Sequence, residues 1–170
     1  MTYKNIPFGT INKFNVVIEI PKQSKNKYEY DEDLDAIKLV WVFTGGFHFP
    51  FDYGYIPETR GGDGDHLDAF IFSSHPIAMG TIVECRAIGM IELLDREEED
   101  NKILAVPLVD PEYKTYQKLS DLTFDYKTIF EEFFKELGIQ KNKTMEIKGF
   151  RDKQVADSVL EMAHKNYVKT

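Results

Sequence analysis

Residues 60–70, RGGDGDHLDAF, place Asp63, Asp65 and Asp68 on a glycine-rich stretch just before an apolar run. Carboxylates this close together can form a polar turn, because Gly and Asp are the usual turn residues, or they can act as oxygen ligands of a hard cation. The spacing excludes an EF-hand calcium loop. Counted from Asp63, the places that need Gly and the closing Glu fall on Asp68 and Ser74. A magnesium site asks for less, since one or two carboxylates and the phosphate oxygens of a substrate complete its coordination. It does need further acidic groups and cations for the phosphate. Asp95-Arg96-Glu97-Glu98-Glu99-Asp100-Asn101-Lys102 carries both, and Glu19, Lys27 and Glu29 stand on or beside early strand-like segments. Alone, each is an ordinary solvated loop or charged strand face; jointly they could supply the parts of a phosphate-and-metal site.

The segments that must position these groups alternate like strands over the first two thirds of the chain. Asn15–Ile20 ends at Pro21, Lys27–Tyr30 alternates again, and Ala36–Thr44 precedes the Gly45-Gly46 turn. Leu67–Phe72 follows the aspartate loop, Gly80–Leu94 is long enough to bend around a barrel, and Ile103–Val109 closes the set. The charged run at 95–102 then reads as a hairpin connection. Tyr126, Ile129, Phe130, Phe133, Phe134 and Leu137 fit the i, i+3, i+4, i+7 template of a helix over Asp125–Leu137, with Gly138 as its C-terminal cap. A second helix is expected from Asp152 to about Tyr167. Strands followed by helices predict an α+β, mainly β domain, a small barrel with two C-terminal helices on one side.

Composition agrees with one domain. A chain of 170 residues buries roughly 70 % of its unfolded surface, and 42 % hydrophobic content with 14 % aromatic is ample for a core. No repeat or low-complexity linker divides it. The single cysteine, Cys85, can form no internal disulfide, which suggests a reducing compartment. MTYKNIPFG has no apolar leader core, and no run approaches the ~20 residues of a membrane span, so a cytoplasmic protein without membrane contact is expected. A formal net charge of −8 opposes binding to a nucleic-acid backbone and suits cations or an anion arriving with metal.

The heptad Asp63-Gly64-Asp65-His66-Leu67-Asp68-Ala69 resembles the signature of the family I soluble inorganic pyrophosphatases. Val17-Ile18-Glu19-Ile20-Pro21, Lys27-Tyr28-Glu29, Phe49-Pro50-Phe51-Asp52-Tyr53-Gly54-Tyr55-Ile56-Pro57, Asp95, Asp100 and Lys102 have counterparts at compatible spacing. The resemblance implies an OB-like five-stranded barrel flanked by helices, an acidic cavity holding several Mg²⁺ ions (Mn²⁺ or another divalent ion being an alternative), and hydrolysis of pyrophosphate by a homo-oligomer. It implies Asp63, Asp68 and Asp100 as ligands of the tighter metal site and Asp95 for a further ion. Glu19 is implied on the metal side and Glu29 on the substrate side, both at the cavity rim. Asp65 is the implied general base toward the attacking water, with Lys27, Tyr53 and Lys102 on phosphate oxygens. Two divalent ions suit such chemistry because they activate a water and clamp the attacked and leaving oxygens.

The chain departs from that pattern at phosphate contacts. Trp41 stands where the family carries an arginine, Leu137-Gly138 where it carries a Tyr-Lys pair, Phe49 where a tyrosine is common, and His66 where proline is usual. Lys38, Arg60, Lys135 and Lys148 are the candidates to compensate, and Trp41 is expected to pack in the barrel. Two other readings follow: hydrolysis of a different diphosphate with Trp41 stacked on an organic group, and a metal-binding relative of low turnover. An OB-type single-strand binder is a reading from another class, disfavoured by the acidic balance.

Overall fold

Strands covered on both faces read as unbroken apolar runs, and residues 69–72 and 103–106 are of that kind, wholly buried on alternating sides. In the computed structural model, which describes residues 2–167, Ala69, Ile71, Ile103 and Ala105 point into one core with Phe14, Val16 and Ile18. Phe70, Phe72, Leu104 and Val106 point into the other.

The strands are β1 (Gly9–Thr10), β2 (Lys13–Ile20), β3 (Asn26–Asp31), β4 (Ala36–Val42), β5 (Asp52–Tyr55), β6 (Asp68–Ile71), β7 (Ile82–Asp95), β8 (Glu98–Glu99), β9 (Lys102–Pro107) and β10 (Met145–Asp152). The helices are α1 (Tyr126–Lys141) and α2 (Lys153–Asn166). Pairing runs β2-β5-β6-β9-β7, and β7 returns to β2, so five strands close into a ring. Closure removes the exposed edges that an open sheet would carry. β7 manages this by its length: Ile82–Cys85 pair with β2, Cys85–Ile91 pair with β9 through a register shift at Ala87–Gly89, and Gly89–Asp95 pair with β10. The β6–β9 pairing is parallel and sets Asp68 against Lys102. β8 is the short return of the hairpin expected at 95–102.

The expected strands are all present, while β1, β5 and β10 are additions. The helices do not share a side of the barrel as expected. Phe130, Phe133, Phe134 and Leu137 of α1 fill the core of Phe70 and Leu104, whereas Ala156, Leu160 and Ala163 of α2 fill the core of Ala69 and Ile103. Side chains alternate along a strand, so the helices cover opposite faces. Gly138 is also not a cap. It lies inside α1, which runs to Lys141 and is capped by Asn142 at φ 48° and ψ 50°.

β3 and β4 form a separate ribbon. Trp41 therefore does not pack in the barrel; it sits on β4 with 39 % of its surface exposed. Among the described residues no helix is long and apolar enough to cross a membrane. Cys85 is fully buried, and burial, with Glu84 nearby, pushes its thiol up beyond the range where a thiolate forms.

Candidate active site

The aspartate loop is built by its own backbone. The Gly61 N–H donates to the Asp65 carbonyl at 2.8 Å, the Asp65 N–H donates to Asp63 Oδ1 at 3.0 Å, and Gly64 takes the left-handed φ of 88° that an unsubstituted residue adopts without strain. The loop delivers Asp68 as the first residue of β6. Parallel pairing places Lys102 across from it, and the Lys102 ammonium donates to Asp68 Oδ2 at 2.7 Å and to Asp100 Oδ1 at 2.5 Å. Tyr53, on the neighbouring strand β5, donates its hydroxyl to the same Asp68 oxygen at 2.5 Å.

Further groups arrive from the strand ends. Asp95 closes β7; its Oδ2 accepts from Lys143, and its Oδ1 is buried with no hydrogen-bond partner. Glu19, buried on β2, accepts the Tyr30 N–H at 2.6 Å. Lys27 and Glu29 pair with each other on β3. All these side chains, with Asp63 and Asp65, line one cavity of about 680 Å³. The fold thus brings together every residue that the family resemblance implied as metal ligand, general base or substrate contact.

Electrostatics in the cavity are those of crowded carboxylates. Burial, then Asp63 and Asp68, raise the Asp65 carboxyl above its ordinary value. Burial raises Asp100 too, despite Lys102, and raises Glu19 well above the usual range with help from Asp68. Burial pulls the Lys102 ammonium down, but Asp68 and Asp100 together outweigh it and hold it above a normal lysine. Burial and the same aspartates push the Tyr53 hydroxyl up, so it stays a neutral donor.

The donor set is suited to a hard divalent ion, being carboxylate oxygen with one buried acceptor on Asp95 left unpaired. Among the described residues no three His, Cys, Asp or Glu side chains form a ready-made cage. Lys102 holds the central position between Asp68 and Asp100, acting as a stand-in cation. Carboxylates spread around a roomy cavity fit Mg²⁺, which keeps several waters and takes ligands from substrate phosphates.

The departures from the family pattern have a structural outcome. Of the four candidate replacements, Arg60 reaches the cavity, where it grips Glu32 through two hydrogen bonds of 2.6 and 2.9 Å. Lys38 is engaged by Asp31, Lys148 by Glu146, and Lys135 lies with Lys148 along a different groove. The cations that do line the cavity unforeseen are Lys141 and Lys143 at the end of α1. The only sequence signal for them is the Lys-Asn-Lys of 141–143, which lies beyond the helix end expected at Gly138. Leu137 forms wall, Phe49 is buried core, and Trp41 does not line the cavity, so nothing favours its stacking on an organic group of a substrate. His66 lines the cavity with its Nε2 2.8 Å from Glu32.

Comparison with known proteins agrees with this geometry. Residues 16–168 match the family model described as inorganic pyrophosphatase. The chain is 45 % identical over 146 residues to the inorganic pyrophosphatase of Thermoplasma volcanium, covering 84 % of this chain and 86 % of that one. It is 39 % identical over 153 residues to that of Synechocystis, covering 90 % of each. The crystal structure of the Thermus thermophilus inorganic pyrophosphatase superposes with a TM-score of 0.87 at 33 % identity, over 98 % of this chain and 99 % of that one. With a matching family model, close relatives and one shared barrel behind it, the chain belongs to the inorganic pyrophosphatases, enzymes that hydrolyse pyrophosphate.

Proposed function

We propose that this cavity hydrolyses pyrophosphate as its magnesium complex, with Asp63, Asp68 and Asp100 as the principal metal ligands, Asp95 holding a further ion and Glu19 supporting the metal side. The observation that carries the reading is the convergence of these carboxylates and of Lys27, Tyr53 and Lys102 on one cavity of about 680 Å³. When bound, Mg²⁺ supplies charge neutralisation for the diphosphate and lowers the pKa of the attacking water.

The protein's own groups do the rest. Asp65 takes the proton of the water as its oxygen bonds to one phosphorus and the bridging P–O bond breaks. Its raised affinity for a proton suits that task, since a base works best when its pKa moves toward the working pH. Lys27, Lys102 and the neutral Tyr53 hydroxyl donate to phosphate oxygens and stabilise the charge that spreads over them in a loose transition state. Glu29 holds Lys27 in position. A cytoplasmic enzyme assembled as a homo-oligomer completes the reading, supported by the inert buried thiol of Cys85 and by the family.

The experiment is phosphate release from pyrophosphate by the purified chain with Mg²⁺, with a panel of nucleoside and sugar diphosphates alongside. Fast release, abolished by chelation and by Asp65→Asn, is expected. Activity that survives chelation would refute the metal mechanism, and turnover confined to another diphosphate would refute the substrate.

A further inference from the structure

The basic side of the cavity is built from three lysines, Lys27 of β3 and Lys141 and Lys143 from the end of α1. Two of them are matched: Lys27 pairs with Glu29 and Lys143 with Asp95. Among the described residues no carboxylate stands within 4 Å of the Lys141 ammonium to form an ion pair. Lys141 is half-buried and instead lies over the face of Trp41, 5.6 Å from the ring centroid. Burial, then the like charges of Lys27 and Lys143, hold its ammonium below the usual lysine value. A desolvated cation beside two others is costly unless an anion enters the cavity.

The local fold explains why the cation sits there. At Gly138 a Cβ would approach the Lys143 carbonyl oxygen to 2.7 Å, because the chain turns back at Asn142 and the Lys143 N–H donates to the Gly138 carbonyl at 2.9 Å. The turn that leaves no room for a side chain at 138 swings residues 141 and 143 into the cavity. It is also clasped to the end of the β3–β4 ribbon. The Thr44 N–H and hydroxyl both donate to Gln140 Oε1, at 3.2 and 3.1 Å, and Gln140 Nε2 donates to the Thr44 carbonyl at 3.3 Å. Trp41 is Lys27's partner in the ribbon register, so the residue beneath the Lys141 ammonium stands directly across the ribbon from Lys27.

We propose that Lys141 binds a phosphoryl oxygen of the substrate, and that Trp41 is the positioning residue that aims it into the cavity. The inference rests on the diphosphate-hydrolase reading above and adds a substrate contact from a helix turn beyond Gly138. An ammonium over an aromatic face keeps its N–H groups free to donate, since the ring attracts the charge without accepting a strong hydrogen bond.

The test compares wild type with Lys141→Ala, Lys141→Arg, Trp41→Ala, Trp41→Phe and the Lys141→Ala/Trp41→Ala double variant. It reads KM and kcat for pyrophosphate with Mg²⁺, and the Kd of methylenediphosphonate with Mg²⁺ by calorimetry. Lys141→Ala is expected to raise KM and Kd by on the order of tenfold, the loss of one charged hydrogen bond, with kcat changed far less and Arg restoring most of the affinity. Trp41→Ala is expected to raise both by a smaller factor, with Phe restoring it and no further loss in the double variant. An unchanged Kd in Lys141→Ala, or a wild type that does not bind the diphosphonate, overturns the proposal. A Trp41→Ala loss that persists in full on the Lys141→Ala background overturns the positioning role. A wild type that binds the diphosphonate but releases no phosphate refutes the hydrolase reading, while the Kd comparison still decides the role of Lys141.

Discussion

At the residue scale, Asp65 and Lys102 play opposite electrostatic parts. Asp65 is raised by burial and by its aspartate neighbours, as a proton acceptor should be. Asp65→Asn removes the acceptor without changing shape, so kcat is expected to fall roughly 10²- to 10⁴-fold with the melting temperature unchanged or raised. A phosphate-release assay beside thermal unfolding checks both. Lys102 is 5 % exposed and holds two carboxylates. Removing one partner of a buried pair costs about 3–5 kcal/mol, so Lys102→Met should lower the unfolding free energy of the metal-free protein by several kcal/mol. Mg²⁺ should recover part of that loss, and denaturant titrations with and without Mg²⁺ measure it. The lining of the cavity was legible at this scale, because Asp63, Asp65 and Asp68 stand in one compact cluster and Asp95, Asp100 and Lys102 in another, while the part given to each came from the family resemblance. Lys141 was not legible, since its role depends on the left-handed turn at Asn142, and no spacing in the sequence announces that turn.

At the scale of elements, α1 carries two jobs that local changes can separate. Its aromatic face fills a core: Phe130 is fully buried, with Phe70 at 4.9 Å and Phe51 at 5.3 Å between ring centroids. Phe130→Ala is expected to cost about 3–5 kcal/mol of stability, read as a shift in the denaturant midpoint. Its C-terminal turn shapes the cavity, so Gly138→Ala, which pushes a methyl at the Lys143 carbonyl, should cost about 1–3 kcal/mol and weaken substrate binding more than Phe130→Ala does. The helices were readable from their apolar period, but the end of α1 was not. Gly138 is a reasonable cap by composition, and tertiary closeness rather than backbone conformation is what requires glycine there. β5 went unread because Asp52–Tyr55 is short and lies in an aromatic, Gly- and Pro-rich stretch. β10 went unread because the alternation of Met145–Lys148 is too short by itself and Gly149 breaks it at the register shift between Ile147 and Gly149.

For the whole molecule, the acidic cavity couples stability to pH and metal. Asp65, Asp100 and Glu19 have pKa values raised by the fold. Each therefore costs nothing below its ordinary unfolded value, takes stability away as pH climbs from that value to its raised one, and leaves the metal-free protein less stable above it. Mg²⁺ relieves that cost, whereas protons compete with it at low pH. The gain in melting temperature from Mg²⁺ should thus be larger at pH 8 than at pH 5. Carboxylates held low by hydrogen bonds, such as Asp110 with the Ser74 backbone and hydroxyl, act in the opposite direction, losing their contribution on acidification. Asp110 lies away from the cavity and cancels from the metal-dependent difference, whereas Asp31 and Glu32, also held low, are on the cavity wall and already engaged by Lys38 and Arg60. Equal gains at the two pH values, measured by scanning calorimetry, would contradict this coupling.

The parallel pairing of β6 with β9 has a further consequence for how the enzyme comes into being. Asp68 and Lys102 are neighbours across that pairing yet 34 residues apart in the chain, and the intervening segment includes β7, the strand that closes the ring. Contacts this remote in sequence form late and slowly. The two groups meet only once β6 and β9 have paired, so the cavity matures together with the barrel. A nascent or damaged chain would be inert rather than partly active, and turnover in a preparation would count its completed molecules.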